Sequence, residues 1–133
     1  MDWLSIIATF IIGSCVGSFL NVLIYRLPME ESIWSPRSHC LHCNKTIPWY
    51  RNIPLVSFFI QNGKCAECDA SISWQYPLVE IINGCVWAVC FYIFIPLQAG
   101  LTAMFSSVLI TLAWIDYKTM MIPLSLIITG ICI

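Results

Sequence analysis

Charge is scarce in this 133-residue chain, where 10% of residues are Asp, Glu, Lys or Arg and 59% are hydrophobic. Soluble domains carry about 25% charged and about 45–50% apolar residues, so an ordinary globular domain is excluded, and a disordered chain with it. A formal net charge of -1 leaves no basic surface and excludes nucleic acid as a partner. No low-complexity tract and no Gly-rich phosphate or nucleoside fingerprint is present, and no internal repeat is evident, since the similarity flanking two CxxC elements is too slight to establish a duplicated knuckle. What remains is a chain suited to lipid. A membrane helix needs about 20 apolar residues, so this length accommodates three or four spans and one compact loop.

The first span is expected from Trp3 to about Tyr25, a run without a charge. Only Asp2 precedes it and no basic region does, so it reads as a retained helix and not as a cleaved signal. A second span is expected from about Pro77 to Leu97 and a third from Leu101 to Ile115, joined by a tight turn containing Pro96 and Gly100. A fourth apolar stretch starts near Met120 and is still apolar at Ile133. The expected architecture is an all-α polytopic membrane protein. It divides into a first transmembrane helix over residues 1–27, a four-cysteine loop domain over 28–75, and helices two, three and the start of four over 76–133. Arg37, Lys45, Arg51 and Lys64 lie in the loop, with Arg26 at its edge, and Lys118 is the one remaining base. The positive-inside rule therefore puts the loop in the cytoplasm, and alternation returns Asp116 and Lys118 to that side.

Four of the eight cysteines form Cys40-x2-Cys43 and Cys65-x2-Cys68, with 21 residues between the pairs. Two such hooks can set four thiolates tetrahedrally around one Zn²⁺, as zinc ribbons do, and the separation is just past the usual range of about 15–20. Lys45 and Lys64 lie close by and favour thiolates. His39 and His42 flank the first pair as substitute ligands. The competing readings are two disulfides, which a reducing cytoplasm disfavours, or a redox pair. A closed four-thiolate site leaves no position for water and holds shape without doing chemistry. Cys15, Cys85, Cys90 and Cys132 fall within spans, as small packing residues.

Ionisable groups at membrane depth are functional candidates by default. Glu80 lies near the start of the second span and Asp116 at the end of the third, both on the cytoplasmic side. The plainer alternatives are that Asp116 is an interfacial residue near Lys118, and that Glu80 bonds Asn21 or Asn83 inside the bundle. Gly13 and Gly17, followed by Ser18 and Asn21, permit close helix approach and leave Asn21 needing a partner.

Together these segments resemble the prepilin leader peptidase/N-methyltransferases. The likeness runs through Gly17-Ser18-Phe19-Leu20-Asn21-Val22-Leu23-Ile24-Tyr25-Arg26-Leu27-Pro28 and Pro36-Arg37-Ser38-His39-Cys40 with Cys43. It continues through the stretch from Ile47 to Ser57, Gly63-Lys64-Cys65 with Cys68, Ile72-Ser73 and Tyr76-Pro77-Leu78-Val79-Glu80. Trp114-Ile115-Asp116, six residues and Pro123 resemble the motif around that family's first catalytic aspartate.

The resemblance implies a bacterial inner-membrane aspartic endopeptidase. Such enzymes cut the basic leader from type IV prepilins or type II secretion pseudopilins. They then methylate the new N-terminal amine, usually on phenylalanine, with S-adenosylmethionine as donor. The implied partners are those substrates, the bilayer, and the type IV pilus or type II secretion machinery. Asp116 matches the first catalytic carboxylate. The family's second stands in a Gly-x-Gly-Asp motif, which none of the six glycines begins, and Leu124 follows Pro123 where many members carry aspartate. The chain is therefore expected to be the N-terminal part of a longer enzyme and inactive as a peptidase alone, since Glu80 is poorly placed to complete a close dyad. Two other readings stay open: a non-catalytic zinc-ribbon binding fragment, and a membrane thiol oxidoreductase using the CxxC pairs.

Overall fold

A computed structural model describes residues 2–34 and 38–120. Among these residues the structure is helical, and backbone pairing outside helices and turns reduces to two isolated antiparallel bridges. Helix α1 runs Trp3–Arg26, the short α2 Val56–Ile60, α3 Gln75–Ile93 and α4 Pro96–Thr119. α1, α3 and α4 are each long and apolar enough to cross a membrane. The expected fourth span, with Pro123, Leu124 and Cys132, lies outside the described residues apart from Met120 at its start, as do Pro36 and Arg37.

The turn between the last two helices differs from the sequence expectation. α3 stops at Ile93, and Phe94 and Ile95 are extended. Pro96 then opens α4, so the helix starts five residues before the expected Leu101 and Gly100 falls inside it. The reason is that proline disfavours helical backbone in the residue before it, yet suits the first helical position, where its missing N–H would have no partner anyway.

The bundle is apolar outside, and along much of its length small or polar inside. Trp3, Ile7, Ile11, Leu101, Phe105 and Leu109 face outward, as lipid-facing residues do. On α4 the buried positions are Ala99, Ala103, Ser107, Thr111 and Ile115, one every four residues. α1 buries Gly13, Ser14, Gly17, Leu20, Asn21 and Ile24 along one face, and α3 buries Val79, Glu80, Asn83 and Gly84. With lipid as solvent, close backbone packing and hydrogen bonds drive such association, and this favours small residues at the contact. Cys90 is buried, but Cys15 and Cys85 are exposed. Those two do not pack inside the bundle as expected, because each follows a buried residue, Ser14 or Gly84, and is turned away from the contact face.

Two glycines set the α1–α3 distance. A Cβ on Gly17 would stand 2.8 Å from the Glu80 Cα, and one on Gly13 2.6 Å from the Trp87 Cβ. Asn83, fully buried, ties all three long helices: it donates to the Gly13 carbonyl (2.7 Å) and accepts from the Ser107 hydroxyl (2.8 Å). Trp87 in turn donates its indole N–H to Ser107 (3.0 Å). Near one end of the bundle Leu20, Ile24, Val79 and Ile115 form the apolar core. Substituting Gly17→Ala should destabilise the protein by about 1–3 kcal/mol, the usual cost of overpacking. Gly100→Ala, inside α4 with nothing within 4 Å, should instead leave stability unchanged or raise it by up to about 1 kcal/mol. Thermal unfolding in detergent measures both, and equal effects would argue against the close approach.

Candidate functional site

The segment between α1 and α3 is built from two copies of one turn. In the first, Cys40 N–H donates to the Lys45 carbonyl (3.0 Å), Asn44 N–H to the Cys40 carbonyl (2.9 Å), and Ile47 N–H to the Ser38 carbonyl (2.8 Å). In the second, Cys65 N–H donates to Ala70 (2.8 Å), Asp69 N–H to Cys65 (3.0 Å), and Ile72 N–H to Gly63 (2.7 Å). Every offset from the leading cysteine is the same. So are the bridges, His39 with Thr46 and Lys64 with Ser71. Asn44 and Asp69, each next to the second cysteine of its pair, adopt positive φ of 55° and 56°. These are residue types whose short polar side chains tolerate the left-handed region. The weak similarity flanking the two CxxC pairs hides this repeat, because it resides in backbone bonds.

The two turns bring Cys40, Cys43, Cys65 and Cys68 together, with all four sulfurs within 4.8 Å of one another. Zn–S bonds of about 2.3 Å in a tetrahedron put sulfurs about 3.8 Å apart, and Cys40 and Cys68 stand at 3.8 Å. The donor set fits one thiophilic ion. His39 and His42 stand outside the sulfur cluster. Backbone N–H groups of Cys43 and His42 hold the Cys40 thiol down to about 6. Cys68 is pushed up to about 12: a hydrogen bond from the Ala70 backbone N–H favours its thiolate, but desolvation and the thiols of Cys65, Cys43 and Cys40 outweigh it. Four thiols this close cannot all ionise without a cation among them.

Glu67, between the cysteines of the second turn, joins the turns through Lys45 (2.7 Å) and Arg51 (3.3 Å). Its bonds to Lys45 and then Arg51 hold its carboxyl below the usual range, and Glu67 raises Lys45 in return. The clasp is thus present above the ordinary carboxylate pKa and lost as pH falls through the depressed folded value. Being exposed, it is weakened by salt. In the sequence Glu67 carries no signal beyond its place between two ligand positions.

Between the cysteine turns and the adjoining ends of α1 and α3 lies a cavity of about 310 Å³. Asn21 and Glu80 both line it. Asn21 donates to the Tyr76 carbonyl (3.1 Å) and the Gly17 carbonyl (3.4 Å). Glu80 bonds neither Asn21 nor Asn83, contrary to one expectation. Asn83 is taken by Gly13 and Ser107, and the Glu80 side chain instead reaches out of the bundle to accept the Leu55 N–H at 2.7 Å. Ser18 lines the cavity beside it. Leu55 has φ 61° and ψ -53°, and Val56 N–H returns to the Pro54 carbonyl at 2.6 Å. This is a γ-turn with positive φ at a branched residue, a rare and strained arrangement. No sequence signal marked Leu55, since the residue type disfavours that backbone.

Asp116 is exposed at the end of α4, and among the described residues none bonds its carboxylate. It does not line the cavity. Its neighbour Ile115 packs with Leu20, Ile24 and Val79, which puts Asp116 at the same end of the bundle as Glu80 and the cysteine turns.

Residues 11–94, from within α1 through both cysteine turns to just past α3, match the Bacterial Peptidase A24 N-terminal domain. The chain belongs to this family. Members of similar sequence are the prepilin leader peptidase/N-methyltransferases of Myxococcus xanthus (39% identical over 127 residues), Bacillus subtilis (38% over 115) and Klebsiella pneumoniae (37% over 123). The alignments cover 91%, 86% and 86% of this chain but 36%, 46% and 53% of those proteins, so it spans about half their length or less. No solved structure matches the chain. In this A24-type segment the purified protein should carry about one zinc per chain, and Cys40→Ser or Cys65→Ser should lose most of it, while Cys90→Ser should not. The metal should also be released on acidification, as protons compete for the thiolates. A metal-free protein whose CxxC pairs cycle readily with a dithiol would instead favour the redox reading.

Proposed function

We propose that this chain serves prepilin processing: removal of a basic leader and N-methylation of the residue so exposed. The observation that carries the reading is the continuous likeness to prepilin leader peptidase/N-methyltransferases through both cysteine turns. The shared bundle end supports it, since a substrate with an apolar membrane helix and a polar leader has its scissile bond at an interface.

In this reading Asp116 is one carboxylate of an aspartic pair. Two such groups share a proton, so that one activates water and the protonated partner donates to the carbonyl or leaving amine. Its exposure keeps it accessible to water. The four cysteines hold Zn²⁺ in a closed structural site, leaving the ion no open position for catalysis. S-adenosylmethionine supplies the methyl group when bound. The bases clustered in and beside the cysteine segment support a cytoplasmic location for it and for Asp116, in a bacterial inner membrane. The substrates are type IV prepilins or type II secretion pseudopilins, handled together with the pilus or secretion machinery.

Joined to the remaining C-terminal part of the Bacillus subtilis relative, residues 1–133 should restore leader cleavage in cells lacking their own prepilin peptidase. Asp116→Asn in that chimera should slow it by roughly 10²–10⁴-fold, the usual weight of a catalytic acid or base. Cleavage undiminished by the substitution would remove Asp116 from the mechanism. For sidedness, an impermeant thiol reagent should leave metal-stripped Cys43 unlabelled in sealed cells and label it in opened membranes. Labelling in sealed cells would invert the topology.

A further inference from the structure

We propose that the cavity between the cysteine turns and the ends of α1 and α3 is the methyl-transfer chamber, with Glu80 the catalytic carboxylate that seats the substrate's N-terminal ammonium and takes its proton. This rests on the N-methyltransferase reading above and adds a site and a residue to it.

N-methylation sets a specific electrostatic problem. An α-amino group has an ordinary pKa of about 7.7–8.0 and is mostly protonated near neutrality, so it has no lone pair for attack. Its co-substrate, a sulfonium methyl donor, is also a cation. A site that joins them must offset two positive charges and accept one proton, which calls for a shielded, preorganised carboxylate.

Glu80 meets that description. It is 6% exposed, yet it lines the cavity. Among the described residues no cation forms a salt bridge with it: Lys45 and Arg51 are engaged by Glu67, and Arg26 donates to the Ser32 and Ile33 carbonyls. The Leu55 N–H holds the carboxylate in place. A carboxylate has about four acceptor positions, so capacity remains for an ammonium. Asn21 extends the acceptor surface. Its N–H groups go to the Tyr76 and Gly17 carbonyls, and its side-chain oxygen receives only a long 3.4 Å contact from Gln75. The strained γ-turn at Leu55 has a use in this arrangement, because it aims a backbone donor at Glu80. The cavity, about 310 Å³, is at the lower end of the small-ligand range.

The step balances. The ammonium gives a proton to Glu80, and the freed nitrogen lone pair forms a bond to the methyl carbon. The carbon–sulfur bond breaks, its electron pair going to sulfur, which becomes a neutral thioether. The product is a secondary ammonium, and Glu80 returns its proton to water. Overall, one proton is released per methyl group transferred.

The test compares wild type with Glu80→Gln and Glu80→Asp in lipid nanodiscs. Two short apolar peptides are used, one with a free N-terminal phenylalanine and one N-acetylated, with S-adenosylhomocysteine present in binding assays. Wild type should bind the free amine about tenfold to a hundredfold more tightly, the range for a charged hydrogen bond. Glu80→Gln should lose that preference while keeping its zinc, and should lower methylation by about 10²-fold or more, with partial rescue by Glu80→Asp. If Glu80 merely supports the fold through Leu55, the Gln variant will lose zinc and weaken both peptides equally, which overturns the proposal. Wild type that methylates, with a Gln variant that still prefers the free amine, would overturn the Glu80 assignment alone. Wild type that neither prefers the free amine nor methylates would overturn the underlying reading as well.

Discussion

The close approach of α1 and α3 at Gly13 and Gly17 is the contact on which the rest of the structure depends. Without side chains at those two positions, the backbones come near enough for Asn83 to reach the Gly13 carbonyl and for Asn21 to reach the Tyr76 carbonyl. Lipid offers these polar groups no alternative partner, so the approach and the hydrogen bonds require each other. The same contact fixes the height of Glu80 on α3 against α1, and with it the floor of the cavity.

Above that floor, a second constraint operates in water. The cysteine segment buries little of its apolar surface, with Leu41, Trp49, Ile53, Phe59 and Ile60 exposed and Phe58 buried, and short segments of this kind need a metal or a cross-link to hold their shape. Two turns with the same backbone bonds present two sulfurs each, and the Glu67 clasp to Lys45 and Arg51 secures one turn to the other. The two constraints meet at Leu55, where the amide of the strained turn belongs to the aqueous segment and its acceptor to the membrane helix. Cysteine segment and bundle are thereby coupled through one buried carboxylate.

Much of this was legible in the sequence. Long uncharged runs mark helices because their length and composition admit no other solution in a bilayer. The CxxC spacing marks a four-sulfur site because ligand geometry tolerates few spacings. The α3–α4 turn was misread, because Pro96 and Gly100 suggest a break in composition whereas proline initiates a helix as readily as it ends one. Glu80 was singled out, but not its partner. Asn21 and Asn83 were the polar residues nearest in pattern, and nothing in sequence foretold an amide 25 residues earlier. The matched backbone of the two cysteine turns was hidden for the same reason, since main-chain bonds leave little trace in side-chain identity.

By itself the sequence determined the membrane class, the three long helices, the four-sulfur donor set and the resemblance to the prepilin leader peptidases. Each of these follows from local composition or spacing, which the chain carries without folding. Only the tertiary structure decided that Glu80 turns toward Leu55, that Glu67 joins the cysteine turns, and that Asn21 and Glu80 line one cavity while Asp116 stands outside it. Those are contacts between residues distant in the chain. They depend on how closely two helix backbones can approach and on which donors are already taken when they meet.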